Sequence, residues 1–132
     1  MVTACLYIDT SVAMRIALRE HDGEMLRATV ERLQRSGYRL VSSRLLELEC
    51  RRVAVRLAHE GRDGGSAEQL VADCDLLDID EDIWRVAMGI TQHVKTLDAL
   101  HLATAALIPE CLLLTSDARM REVAASLGIQ CL

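Results

Sequence analysis

Three carboxylates stand where a helix is about to begin. Asp9 follows the apolar run Leu6-Tyr7-Ile8 and precedes Thr10-Ser11, Asp98 lies in Thr96-Leu97-Asp98-Ala99-Leu100-His101, and Asp117 follows Leu113-Leu114-Thr115-Ser116. A fourth, Glu49, is carried by an amphipathic helix. Clustered carboxylates repel one another and raise each other's pKa unless a cation holds them. Oxygen ligands alone favour magnesium or manganese over zinc, so these four residues are candidates for a site that binds Mg²⁺ or Mn²⁺. In a parallel α/β sheet ligands bind beyond the carboxyl ends of the strands. Asp9 and Asp117, each placed after a predicted strand, can therefore meet although they are far apart in sequence.

Each position has a second reading. Asp before a helix is a favoured N-cap that accepts from the orphan N–H groups of the first turn, and both Asp9 and Asp117 fit that role, the latter shared with Thr115 and Ser116. Asp98 differs: it lies in the first turn of a helix whose other faces are apolar, where an unpaired carboxylate is costly, and Thr96 is free to cap. Glu47 and Glu49 lie two residues apart and face roughly opposite sides of their helix. Glu49 sits on the edge of the apolar stripe and is the expected site residue, whereas Glu47 suits an exposed ion pair with Arg51.

The elements that must position these groups alternate. Ala4 to Ile8 reads as a buried strand, followed by a helix to about Glu20, a break at His21-Asp22-Gly23, and a helix through Met25, Leu26, Val30 and Leu33 that ends at Ser36-Gly37. Tyr38 to Val41 is a short strand. Ser42-Ser43 then caps the longest helix, with an apolar stripe of Leu45, Leu46, Leu48, Val53, Leu57 and Ala58 and a basic face of Arg44, Arg51, Arg52 and Arg56. After a loop from Gly61 to Ser66 come a helix over Ala67 to Cys74, a strand over Asp75 to Asp80, and a helix over Glu81 to Gly89 anchored by Trp84. Leu97 to Leu107 is a nearly apolar, central helix. Cys111 to Thr115 is a strand, Asp117 to Ser126 the last helix, and Ile129 to Leu132 a terminal strand. This alternation predicts an α/β fold with a central parallel sheet flanked by helices.

With 132 residues and 51% hydrophobic content, the chain is expected to be a single domain over 1–132 with one core. Its apolar runs are too short to span a membrane, and Met1 to Leu6 has neither a basic region nor a long apolar one, so a cytoplasmic protein is expected. The five cysteines, Cys5, Cys50, Cys74, Cys111 and Cys131, show no Cys-x-x-Cys spacing and read as reduced, mostly buried small apolar residues. A net charge of −5 is not the simple signature of a nucleic-acid binder, although acids concentrated in one site leave room for a basic surface elsewhere.

At this point the chain resembles a known family. The strand ending in Asp9-Thr10-Ser11, the helix start Ser43-Arg44-Leu45-Leu46-Glu47-Leu48-Glu49-Cys50-Arg51-Arg52, the segment Leu97-Asp98-Ala99-Leu100-His101-Leu102-Ala103 and the corner Leu114-Thr115-Ser116-Asp117 are similar to the PIN-domain ribonucleases. The VapC-type toxins of bacterial toxin–antitoxin pairs are the branch that it resembles. The order and spacing of all four blocks, over nearly the full length, carry the likeness. The family's glutamate precedes an apolar residue and then basic ones, which again points to Glu49. Lys95 stands where many relatives carry arginine. The resemblance implies a three-layer PIN-like fold and a metal-dependent endoribonuclease in which Asp9, Glu49, Asp98 and Asp117 are catalytic and hold Mg²⁺ or Mn²⁺. It also implies an RNA substrate, a cognate VapB-type antitoxin and a homodimer. Thr10, Ser11 and Thr115 are placed to orient the carboxylates through hydrogen bonds, or to cap helices.

His101, three residues after Asp98, has the chemistry of a ligand or base but reads more simply as a buried core histidine. His21, His59 and His93 share no spacing and read as surface residues. The arginines from Arg44 to Arg56 suit RNA phosphates or an acidic partner as well as a solvated face. With 2% aromatics and no Phe, stacking platforms for bases are scarce. Two other functions compete. A PIN-like interaction module without catalysis is disfavoured by four intact acids, and a receiver-type phosphoacceptor lacks a second acid beside Asp9 and a lysine near Ile129.

Overall fold

A computed structural model of the chain describes residues 4–63 and 67–132. The end of the expected Gly61 to Ser66 loop and the first three residues of the N-terminus lie outside them. In chain order the elements are β1 (Cys5–Ile8), α1 (Thr10–Ala17), α2 (Gly23–Arg35), β2 (Arg39–Ser43), α3 (Arg44–His59), α4 (Ala67–Ala72), β3 (Asp75–Leu77), α5 (Glu81–Met88), α6 (Thr96–Ala106), β4 (Cys111–Leu114), α7 (Ala118–Ser126) and β5 (Gln130–Cys131). The strands form one parallel sheet in the order β3-β2-β1-β4-β5. This is the expected α/β, three-layer PIN-like architecture. Building outward from β1, the chain first adds β2 and β3 on one side and then crosses back to lay β4 on the other. The carboxyl ends of β1 and β4 therefore flank the point where the winding reverses, the place at which such sheets bind ligands.

Central position explains the composition of β1. Its four residues are all buried, and side chains alternate across a strand. Leu6 and Ile8 join Val12, Ile16, Leu46 and Cys50 on the side of α1 and α3. Cys5 and Tyr7 join Leu102, Leu113, Met120 and Val123 on the side of α6 and α7. Burying an aliphatic side chain of this size contributes about 1.5–3 kcal/mol, and that is why a polar residue enters the run only where it ends, at Asp9. Gly23 closes the corner between α1 and α2. A Cβ there would stand 2.3 Å from the carbonyl oxygen of Arg15, so no larger residue fits without moving the backbone.

Several expected details are corrected. Trp84 is not an anchor: it is 51% exposed, while Ile83 is 4% exposed and packs with Leu100 and Ala103, flanked by Val86 and Ala87. A 100° step around the helix separates neighbours, and the inward face of α5 falls one residue before the tryptophan. β2 runs on through Ser43, and Ser42 is a strand residue whose hydroxyl donates to the Ile8 carbonyl at 2.7 Å; Ser43 alone caps α3, accepting from Leu45 N–H. β3 stops at Leu77 because Asp80 is taken as the N-cap of α5. The first helix ends at Ala17 instead of about Glu20, with Arg19 beyond it in the left-handed region, and α4 stops at Ala72. Cys5 and Cys50 are the buried cysteines, and the other three are half-buried. No helix among the described residues is long and apolar enough to cross a membrane.

Candidate active site

Register places two of the expected residues side by side. Ile8 of β1 pairs with Leu114 of β4, so the residues just past them, Asp9 and Thr115, are neighbours at the carboxyl edge. Asp9 is only 3% exposed. Its Oδ1 accepts from the Ser11 hydroxyl at 2.7 Å and from Val12 N–H at 3.1 Å, and its Oδ2 accepts from the Thr115 hydroxyl. Ser11 Oγ in turn accepts from Ser116 N–H at 3.1 Å. Asp9 thus caps α1 through one oxygen, while the other is tied to the end of the adjacent strand. Asp117 caps α7: its Oδ1 accepts from the N–H groups of Arg119 at 2.8 Å and Met120 at 3.2 Å, and its own N–H donates to Thr115 Oγ1 at 3.1 Å. A helix N-terminus carries a partial positive charge that suits a carboxylate. Arg121 braces the same corner through Thr115 O at 2.8 Å.

Asp98 is half-buried in the first turn of α6. Thr96 is the first helical residue and does not cap; Lys95 stands at the cap position without a side-chain bond. No side chain or backbone N–H among the described residues donates to the Asp98 carboxylate. Burial raises its pKa, as do the negative charges of Asp117 and Asp9, with His101 and Lys95 opposing. Asp9, Asp98 and Asp117 therefore sit within electrostatic range of one another, as convergence at the switch point requires.

Glu49 is held differently. Its side chain is 21% exposed, and its Oε1 lies 2.7 Å from the Thr10 hydroxyl, which donates to it, and 2.8 Å from His101 Nε2. Burial pushes its pKa up, but the hydrogen bonds with His101 and Thr10 outweigh this, and the net shift is downward. Glu47 points away, 52% exposed, and pairs with Arg44 at 3.3 Å instead of the expected Arg51, which reaches Glu68. Three residues back along the helix serves Glu47 as well as four residues forward. Arg44 also reaches Asp78 at 3.1 Å, whereas Arg52 and Arg56 are exposed without an ion-pair partner among the described residues.

Comparison with known proteins decides the family. The pattern described as PIN domain matches residues 6–126, a span that contains all four carboxylates. The chain belongs to the PIN-domain family. It is also 35% identical over 129 residues, 96% of this chain and 95% of the other, to Ribonuclease VapC46 of Mycobacterium tuberculosis. No solved structure matches it.

Whether this PIN domain suits a divalent cation is judged from its donors. The candidate ligands are carboxylate oxygens, the hard donors that Mg²⁺ and Mn²⁺ take; the upward shift of Asp98 comes first from burial and then from the charges of Asp117 and Asp9, and a cation offsets that repulsion. The same corner holds Ser116 Oγ, a buried polar atom with no hydrogen-bond partner among the described residues. The set fits, although among the described residues no three His, Cys, Asp or Glu side chains are drawn tightly enough to hold a metal ion as they stand. Glu49 in particular is turned onto His101.

Sequence reasoning missed the group behind Glu49. His101 is buried, 1% exposed, as a core histidine would be, yet its ring joins Tyr7 Oη, 2.6 Å from Nδ1, to Glu49. The signal was present: Asp98 and His101, three apart on one helix, share a face, and Tyr7 points to the side of the sheet that α6 covers. His21, His59 and His93 are exposed as expected.

Proposed function

We propose that this PIN domain is a metal-dependent endoribonuclease toxin that cleaves RNA phosphodiester bonds and is neutralised by a cognate VapB-type antitoxin. The observation that carries the reading is that Thr115 links Asp9 to the backbone of Asp117 beyond the ends of adjacent central strands, with the charges of both acids acting on Asp98. Similarity to Ribonuclease VapC46 supports RNA as the substrate. Residues 1–132 act as one domain, in the cytoplasm and as a homodimer. Asp9, Glu49, Asp98 and Asp117 are the residues that hold Mg²⁺ or Mn²⁺. When bound, the ion supplies positive charge that activates water and offsets charge developing on the scissile phosphate.

The chain's own groups fix the geometry. Ser11, Val12 N–H and Thr115 hold Asp9, the α7 N-terminus orients Asp117, Thr10 and His101 aim Glu49, and Asp98 is the carboxylate left to respond. The antitoxin offers a basic side chain to these acids, arginine being suited to paired carboxylates.

The test is RNA cleavage by the purified chain with Mg²⁺, with Mn²⁺ and with EDTA. Cleavage requires the ion, is lost in Asp9→Asn, Asp98→Asn and Glu49→Gln, and persists in Glu47→Gln. Wild-type cleavage by Asp9→Asn or Asp98→Asn would remove the proposed site, and absence of cleavage by the wild type with either ion would favour an interaction module. Antitoxin binding weakens when Asp9→Asn and Asp117→Asn are combined; unchanged affinity would place inhibition elsewhere.

A further inference from the structure

Behind Glu49 runs a buried hydrogen-bonded chain that metal binding and RNA contact do not by themselves call for. Tyr7 is fully buried in β1, and His101 is buried in α6. Tyr7 Oη lies 2.6 Å from His101 Nδ1, and His101 Nε2 lies 2.8 Å from Glu49 Oε1 and 3.2 Å from Thr10 Oγ1. The hydroxyl groups nearest the phenol have their protons committed: Ser42 Oγ donates to Ile8 O and Thr104 Oγ1 to Leu100 O, each at 2.7 Å. Burial keeps the phenol protonated, raising its pKa well above the ordinary value. Glu49 Oε1, 2.8 Å from Nε2, is a carboxylate oxygen that can only accept, so Nε2 carries the ring proton, and in a neutral imidazole Nδ1 is then bare and accepts from the phenol. That N–H faces Glu49 Oε1. Thr10 donates to the same oxygen, and no donor among the described residues reaches Oε2.

We propose that His101 is a positioning residue: Tyr7 selects its Nε2–H tautomer, and that N–H, with Thr10, ties down Glu49 Oε1 so that Oε2 is presented to the site in one orientation. This rests on the reading of Glu49 as an active-site carboxylate. A buried imidazole oriented by a hydroxyl on one nitrogen and holding a carboxylate with the other is the kind of outer support whose loss costs on the order of 10–100-fold in metal affinity or activity.

Two measurements test it, one independent of metal and RNA. In ¹⁵N-edited NMR of the metal-free chain, His101, assigned by its disappearance in His101→Gln, shows a single neutral Nε2–H tautomer. Tyr7→Phe, which removes only the hydroxyl, shifts it toward a mixture. In RNA cleavage with Mn²⁺, His101→Ala loses on the order of 10–100-fold in kcat with KM for RNA little changed, and His101→Gln, whose amide N–H reaches toward Glu49, recovers part of the loss. In Mn²⁺ affinity, which can be read in variants that do not cleave, the double variant His101→Ala, Glu49→Gln is no weaker than Glu49→Gln alone, because His101 acts through Glu49. An Nδ1–H tautomer in the wild type overturns the proposal, as does a double variant weakened by the product of the single effects. Should His101→Ala fail to fold, Tyr7→Phe decides: an unchanged tautomer together with wild-type kcat overturns it. Loss of cleavage in Glu49→Gln with none in His101→Ala rejects the support alone, whereas full cleavage by Glu49→Gln rejects the Glu49 assignment and the proposal with it.

Discussion

Asp9 and Asp98 belong to the same acidic edge and are stabilised in opposite ways. Asp9 is the more deeply buried, yet a backbone N–H and two hydroxyls meet both its oxygens. Asp98 is less buried, but no donor among the described residues meets it, and burial and its acidic neighbours push its pKa up. Hydrogen bonds as well as exposure therefore set how a carboxylate is accommodated in this fold. The contrast also divides the labour: Asp9 is part of the scaffold as well as of the proposed site, and Asp98, which no donor among the described residues meets, is the acid whose charge a cation would offset.

The largest expected effect breaks that contrast directly. Asp9→Ala removes the α1 cap and leaves the Ser11 and Thr115 hydroxyls without their acceptor, a loss of roughly 2–4 kcal/mol from the cap and the stranded donors together. Asp98→Ala removes no hydrogen bond among the described residues and should leave stability nearly unchanged or raise it. Urea unfolding of the metal-free proteins measures both. Equal losses would mean that the bonds to Asp9 are incidental. A smaller effect sharpens the comparison: Thr115→Val, matched in shape, removes the donor to Asp9 Oδ2 and the acceptor of Asp117 N–H and should cost on the order of 1–2 kcal/mol. No change in the same unfolding experiment would place Asp9's stability in α1 alone.

What was legible in the sequence follows the same line. Strand and helix order, the parallel sheet and the place of Asp9 and Asp117 at strand ends could be read, because β1 and β4 are apolar runs that end abruptly in capping residues. The choice of Glu49 over Glu47 could be read from helical phase, since two residues reverse the face, and in the fold Glu49 turns inward while Glu47 is exposed. Trp84 misled because size is a poor guide to burial when α5 covers one neighbour with only part of its surface. The role of Thr96 misled because a capping residue type does not fix where a helix starts. The Tyr7–His101–Glu49 chain was legible only in part: the spacing of Asp98 and His101 puts them on one helix face, but that His101 joins Tyr7 to Glu49 depends on distances between a strand and two helices far apart in sequence.

The smallest expected effect is the sharpest test of Asp98, because its sign is opposite to that of ordinary mutations. An acid whose folded pKa lies above its unfolded value loses folding stability as pH rises from below the unfolded pKa through the folded one, and the deficit persists at neutral pH. Asp98→Asn removes this term, so in EDTA at pH 7 the variant should melt higher than the wild type, by less than about 1 kcal/mol once solvent screening of a partly exposed group is allowed for. The advantage should vanish below the carboxylate range, where both proteins carry a neutral group. Glu49, with its pKa lowered, behaves inversely: it contributes stability above its unfolded pKa that is lost as pH falls through the folded one, so Glu49→Gln should melt lower at pH 7 and approach the wild type in acid. Mg²⁺ binds the native state and raises its midpoint by linkage, and that rise should be larger in the wild type than in Asp98→Asn. Equal rises would place the ion away from Asp98, and an Asp98→Asn that melts lower in EDTA would mean that the carboxylate has a donor after all.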